Sequence, residues 1–471
     1  MTLATIDRYD PDRLATIGDR AVVLGGSVAG LCAARVLADG FTDVLVLERD
    51  PLPDEPVARD GAPQTSHPHV MLEGGRATLE DLFPGFSERV LGEGGLLVDA
   101  STELAEYNRG GYLADPRERL PTYCASRALF EHVLRERVRA LDTVQLRGNH
   151  QFHGYCTDED ATAVTGVRFR DPDGEEATLS ADLVVDATGR TSKTPTWLAR
   201  NGYETPPTDE VTIDVSYSTV RLERPPDDRR MRLVAPDAPR TRGGALIPVE
   251  GDRWEVILQG VHGDAPPTDP QALIDFAESL PVSDIADILQ SQPWVSDDVL
   301  RYPYPASRRQ RYESLDRFPD GLVVTGDAIA SFNPIYGQGM SVAALDALLL
   351  HHALADGGLD GLAPRFFERA ADLLDVVWQL VVGGDFAFQQ TTGPRPTGAA
   401  LVNRYMNRLV RQAHDDAMVS EALARVTRLE TPPTELFRPR IAWRVLRPSG
   451  RFGSVRSVAD RTVNTVTSTL L

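Results

Sequence analysis

Two glycine-bearing segments, far apart in the chain, hold residue types suited to gripping a nucleotide. In the first, Gly25-Gly26-Ser27-Val28-Ala29-Gly30 matches the G-x-G-x-x-G template at Gly25 and Gly30, with Ser27 in place of the middle glycine. Gly25 permits a tight turn, Gly30 lets a helix pack close to a strand, and Ser27 is small enough for a pyrophosphate to approach the helix N-terminus. The Ser27 hydroxyl can add a hydrogen bond to it. Glu48, followed by Arg49, lies eighteen positions beyond Gly30. A carboxylate there accepts hydrogen bonds from ribose hydroxyls and repels a 2′-phosphate. This unit alone fits NAD or FAD. In the second segment, Gly326-Asp327 precedes Asn333-Pro334-Ile335-Tyr336-Gly337-Gln338-Gly339-Met340. An acid at a strand end can bind a sugar-alcohol hydroxyl, and a helix start just beyond offers free N–H groups and a positive dipole end. That pairing suits FAD, whose ribityl chain and ring system must both be held.

These residues need a scaffold, and the apolar runs supply one. Residues 21–24 and 44–47 read as buried parallel strands, with a helix over 31–37 between them. Residues 322–325 form another such strand, followed by a helix over 341–350. Residues 102–113 predict a hairpin with Gly110-Gly111 near its turn, and 211–222, 244–249 and 253–261 read as strands, the last two joined at Gly251-Asp252. Helical periodicity covers 366–382, 399–414 and 417–429 until Pro432-Pro433 and Pro439 break it. The tail 454–471 is polar and β-branched and receives no assignment. The fold class is therefore α/β: a Rossmann-like FAD-binding domain (18–100, 120–200 and 300–360), interleaved with a β-sheet substrate domain (101–119 and 201–299) that roofs the flavin. A C-terminal helical region (361–471) follows.

Composition narrows the setting. With 471 residues and 42% hydrophobic content, the chain can bury a large core. No run approaches the ~20 apolar residues that span a bilayer, and the start lacks the apolar stretch of a signal peptide. Cys32, Cys124 and Cys156 give neither a disulfide framework nor a metal pattern, which fits a reducing cytoplasm. The net charge is −20, and Lys193 is the single lysine. Such acidity argues against nucleic acid or an anionic membrane as partner. Arginine bias alone would not produce the acid excess, so a halophilic surface is expected.

The second segment resembles the Gly-Asp motif of the glutathione-reductase-2 (GR2) type flavoproteins, the para-hydroxybenzoate-hydroxylase-like monooxygenases. Asp182 to Arg190, containing Asp186-Ala187-Thr188-Gly189, is similar to their middle motif. By that resemblance Asp327 binds the ribityl chain, and the turn from Pro334 to Met340 lies against the pyrimidine edge of the flavin. Arg127, opening a helix after Ser126, braces the cofactor, and Arg59 sits beside the pyrophosphate or a mobile flavin. The match spans roughly residues 18 to 385. The strings RDGAPQTSHPHVML, SFNPIYGQGMSVAA and GGDFAFQQTTGPRPTG further resemble bacterial flavin-dependent olefin epoxidases of the lasalocid and monensin type.

The implied chemistry is monooxygenation: a C4a-hydroperoxide of non-covalent FAD transfers one oxygen atom from O2 to a largely apolar small molecule, by epoxidation or hydroxylation. The cofactor carries that chemistry; the protein must position and dry it. Pro334, Tyr336, Gly339 and His67 are placed at the reacting centre. His67 is read either as a proton donor or substrate contact, or as loop packing before a helix over 70–82; the second is favoured. Tyr336 is a pocket wall or core, Cys32 a packed small hydrophobe, and His351-His352 the polar face of a helix. No metal is expected, since His67-x-His69 lacks a third ligand. No second dinucleotide fold is present, so NAD(P)H binds transiently on the flavin domain or a flavin reductase delivers electrons. A halogenase fits poorly, because its active-site lysine and Trp-x-Trp-x-Ile-Pro stretch find no match. A reductase saturating isoprenoid double bonds is the alternative, and a non-catalytic flavin-binding or electron-transfer protein the lesser one.

Overall fold

The computed structural model describes residues 3–447. Five parallel strands form its nucleotide-binding sheet, in the order Leu322–Val324, Leu183–Asp186, Gly18–Leu24, Phe41–Leu47 and Val144–Arg147. The register sets Val22 between Val184 and Leu45. Both faces of this sheet are covered, which is why its strands read as unbroken apolar runs. On one face lie the helices Val28–Leu37, Arg127–Arg139 and Gly339–Gly357, whose Leu31, Leu129 and Leu345 join Val23 in the largest core. On the other lies a three-stranded antiparallel sheet that packs Tyr155, Val167 and Phe169 against Val22 and Leu24. Gly339–Gly357 is buried from Met340 to Leu354, as expected for a helix that is apolar all round.

The second large sheet has eight strands, in the order Ala330–Ser331, Leu300–Gln310, Thr208–Glu223, Arg253–Gly260, Arg242–Val249, Met231–Val234, Leu104–Asn108 and Gly111–Tyr112. Side chains alternate across it with the pleat. Val220, Leu222, Trp254 and Val256 pack outward against the helices Pro270–Glu278 and Asp284–Ser291. Tyr217 and Thr219 point the other way, towards the nucleotide-binding part, where they meet His67. The helices Leu362–Asp385, Ala399–Ala413, Ala417–Thr427 and Pro439–Leu446 follow within the described residues, the last three around Leu409, Val419 and Ile441.

Three expectations change. Residues 300–310, assigned above to the nucleotide-binding part, instead pair along Thr208–Glu223 and extend the roofing sheet; Tyr304 and Ala306 alternate inward there like their neighbours. The helix expected over 70–82 begins only at Glu73, because Pro68–Met71 is a strand paired with Pro121–Ser126. His351 and His352 are not on a polar face but are 0% and 6% exposed. The N-terminal segment covers them: Tyr9 meets the His351 ring edge-on, and His352 Nε2 lies 2.9 Å from the Asp7 carbonyl. The tail 454–471 lies outside the described residues.

The first turn is closed by a backbone contact only glycine allows. A Cβ at Gly30 would stand 1.8 Å from the Gly25 carbonyl oxygen, and backbone cannot yield that far. Gly30→Ala is expected to destabilise the protein by more than about 3 kcal/mol, on the scale of severe overpacking. Chemical unfolding of the soluble fraction measures this, and a midpoint equal to wild type would refute it.

Candidate flavin site

The surroundings of the first glycine turn are built on buried charge. Glu48 ends its strand with Oε2 accepting from the Gly26 N–H at 2.7 Å and Oε1 from the Asp50 N–H at 3.0 Å. Arg59 lies 3.3 Å from Glu48, 3.2 Å from Asp50 and 2.7 Å from Glu131, with a side chain only 4% exposed. Burial opposes its charge, but these carboxylates outweigh the cost and raise its pKa. Ser27 Oγ donates to Glu131 at 2.7 Å and accepts from Arg127 Nη2 at 3.1 Å. The hydroxyl proton expected for a phosphate is therefore committed to Glu131. Arg49 is largely exposed and donates to the Gly61 carbonyl at 2.9 Å.

Arg127 begins its helix because Ser126 Oγ caps it, accepting from the Leu129 N–H at 3.1 Å. Burial lowers its pKa, and Glu131 and Asp327 oppose that loss. Arg127 thus stands between the two ends of the site. Asp327 follows Gly326, whose φ of +64° turns the chain at the strand end. The Asp327 residue is accessible, yet burial raises its carboxyl above the usual range against the pull of Arg127 and Arg190. It therefore lines a deep cleft. Behind it, Asp346 is fully buried, accepts from the Gly326 N–H at 3.2 Å and has its carboxyl pushed up to about 7 by burial.

The loop after Asp327 is braced from below. Asn333 Nδ2 donates to Asp385 at 3.0 Å and the Tyr336 hydroxyl donates to the same oxygen at 3.1 Å. Asp385 is 2% exposed, and burial pushes its carboxyl up to about 7. Pro334 and Tyr336 are half-buried in a short 3-10 turn, and Gly337 leaves it at φ +66°. Gly339 opens the long helix, with no side-chain cap from Gln338, and Met340 is core. Among the described residues, a Cβ at Gly337 or Gly339 would meet nothing within 4 Å. The exposed glycines and the uncapped N–H groups form a cradle a flat ring can enter. Two acids for sugar hydroxyls, an arginine between them and two helix starts fit FAD.

His67 is linked to this site through Tyr302, which lies within electrostatic reach of Asp327. It is 3% exposed, its Nδ1 lies 2.8 Å from Thr219 Oγ1, and its ring meets Tyr217 and Tyr302 edge-on. The contact is packing, but against the inner face of the roofing sheet rather than a helix. Burial, then the charge of Arg221, lowers its pKa to about 4. Acid is therefore expected to destabilise the protein. As pH falls below 6.5 the unfolded chain takes up a proton that folded His67 refuses until about 4, a loss of roughly 3 kcal/mol across that window. His67→Gln should flatten that part of the stability–pH curve in urea titrations and keep its FAD; an unchanged slope would sink the assignment.

The residues sequence reasoning missed are Glu131, Asp346 and Asp385, while Asn333 was quoted in the turn without a role of its own. Only Glu131 carried a signal, one helical turn after Arg127. Among the described residues no group of three His, Cys, Asp or Glu is arranged to hold a metal. Cys32 is fully buried, which pushes its thiol up to about 12, and Lys193 is exposed.

The fold and cradle define a flavoprotein, and its cofactor is FAD. The family model described as FAD binding domain matches residues 94–364, and the chain belongs to that family of FAD-dependent oxidoreductases. Protein Rv3254 of Mycobacterium tuberculosis (strain ATCC 25618 / H37Rv) is 32% identical over 429 residues, covering 87% of this chain and 89% of that protein. Among solved structures, p-nitrophenol 4-monooxygenase PnpA from Pseudomonas putida DLL-E4 is similar with a TM-score of 0.61 and 19% identity, over 88% of this chain and 99% of PnpA. The flavin-dependent brominase Bmp2 has a TM-score of 0.60 and 17% identity, over 87% and 93%. PqsL of Pseudomonas aeruginosa, described as a probable FAD-dependent monooxygenase, has a TM-score of 0.55 and 21% identity, over 86% and 99%. At these identities the likeness is one of fold.

Proposed function

We propose that the chain is an FAD-dependent monooxygenase that places one atom of O2 in a largely apolar organic substrate, by epoxidation or hydroxylation, while the other atom leaves as water. Two electrons come from NAD(P)H directly or through a flavin reductase. The observation that carries this reading is the buried apolar cluster beside the turn. Ile213, Val215, Tyr217, Val261, Tyr304 and Phe388 form one cluster, against which Ile335 of the turn itself packs. An apolar cluster packed against the turn keeps water from a reactive centre beside it. Bound FAD would supply the activation of oxygen. In this reading Glu48 holds the ribose, Asp327 the ribityl chain, and the N–H groups at Gly339 and Met340 favour negative charge on the reduced ring. Arg59 fixes Glu48, Arg127 faces the pyrophosphate, and Pro334 and Tyr336 shape the wall. His67, neutral at pH 7, is a hydrogen-bonding contact rather than a proton donor.

The three strings quoted above support the olefin-epoxidase subtype. The acid excess supports a high-salt habitat, with unfolding midpoints rising from low to molar salt. The test of function is product mass after feeding alkenes, polyprenyl lipids and phenols to the holoenzyme under 18O2, with NAD(P)H and an added flavin reductase. Gain of one labelled oxygen is expected. Gain of two hydrogens without oxygen would replace the reading with that of a double-bond reductase.

A further inference from the structure

The strongest unexplained feature is a basic cleft in an acidic molecule. It encloses about 410 Å³ between the hairpin tip at Arg109, the loop at Asp237 and the helix Ala399–Ala413, which contributes Arg404, Arg408 and Arg411. Their spacing of four and three positions puts all three on one helical face, and that helix contains no acid. Among the described residues Asp237 is the one carboxylate in the lining, and it is already paired with Arg240 at 3.2 Å. Arg408 caps the end of the last helix, donating to the Val445 and Leu446 carbonyls at 2.6 and 2.9 Å. Among the described residues, Arg404 and Arg411 meet no carboxylate. Elsewhere arginines of this chain, net charge −20, routinely find one.

Arg109 strengthens the case. It holds a φ of +52° at the hairpin tip, uncommon for a residue with a Cβ, and its guanidinium is tied to the Asn407 side chain. Burial, with repulsion from Arg411, lowers its pKa, while Asp237 and Tyr336 oppose the loss. Tyr336 is thus within electrostatic reach. A second cavity of about 330 Å³ shares Asp237 and Arg404 and adds Phe386, Ala387 and Arg395. Phe386 directly follows Asp385, which anchors Tyr336 and Asn333.

The geometry points to an anion site in this cleft, taking the carboxylate or phosphate head of an amphiphile whose apolar body passes Phe386 towards the turn at Ile335. The assignment rests on the oxygenase reading and names its substrate class. Guanidinium forks pair with both oxyanions, and a positive cleft in a negative surface concentrates them.

The probes are dodecanoate, dodecyl phosphate and dodecan-1-ol, titrated into the holoenzyme with flavin absorbance as readout. Both anions should bind roughly tenfold or more tightly than the alcohol, an advantage that salt erodes, and the tighter of the two identifies the head group. In an Arg404→Gln/Arg411→Gln double variant the preference should vanish, with flavin content and dodecan-1-ol affinity unchanged. Equal binding of alcohol and anions, survival of the preference in the double variant, or no binding of any probe to yellow holoenzyme would each overturn the site. So would a double variant that loses NADPH affinity alone, which would give the cleft to the electron donor. None of these outcomes touches the oxygenase reading, which stands or falls on 18O incorporation.

Discussion

Asp327→Ala is expected to leave purification nearly colourless while remaining folded. The side chain is accessible at the cleft wall and burial already raises its carboxyl, so its charge is maintained at a cost that the fold itself does not require. Its electrostatic partners are Arg127 and Arg190. Sugar hydroxyls donating to a carboxylate are worth roughly 1.5–3 kcal/mol each, so FAD should bind about 10- to 100-fold more weakly. Asp327→Asn keeps one acceptor and should retain an intermediate share. Flavin absorbance per mole of protein reads the effect, and circular dichroism verifies the fold. Full yellow colour in the alanine variant would contradict the placement of the cofactor.

Glu131→Ala should cost the most stability of any single carboxylate in the site. Glu131 is 2% exposed and faces three guanidiniums: Arg59 at 2.7 Å, Arg135 at 3.7 Å and Arg127 at 3.9 Å. Its removal leaves all three buried beside one another with one fewer counter-charge, and Ser27 Oγ loses its acceptor. Breaking such a pair from one side costs about 3–5 kcal/mol. Urea unfolding should show that loss together with reduced flavin content, because Arg59 no longer fixes Glu48 and Arg127 no longer holds its place. Glu131→Gln, which preserves volume and one acceptor, should fall between. An alanine variant with the wild-type midpoint would mean the arginines find water instead.

Much of this was legible in the residues themselves. The first βαβ unit was, since a buried parallel strand leaves an unbroken apolar run and a glycine turn leaves its spacing. Leu322–Val324 was legible for the same reason. The roofing strands at 208–223, 242–249 and 253–260 could be read because one face is core and the pleat alternates. The partners of Arg59 were not, because Glu131 is far off in the chain and its role exists only once a helix is docked. His351 and His352 were misread because nothing local to a helix announces that a chain terminus will cover it. Residues 300–310 were misassigned because strand neighbours are chosen by the sheet, not by proximity in sequence. Asp346 and Asp385 look like ordinary acids on helices until packing buries them.

The order of the strands in the nucleotide-binding sheet has a consequence for how the protein is made. Gly18–Leu24 leaves the ribosome early, but its neighbour Leu183–Asp186 comes much later, and Leu322–Val324 with the Gly339–Gly357 helix later still. The first glycine turn and the helix Gly339–Gly357 therefore cannot meet until residue 357 has been synthesised. Until then the first strand's apolar edge waits unpaired, the state in which a nascent chain is most prone to aggregate. Flavin loading is expected to follow the synthesis of that helix. Expression at reduced translation rate, or with chaperones that shield nascent chains, should raise its soluble yield more than flavin added to the medium.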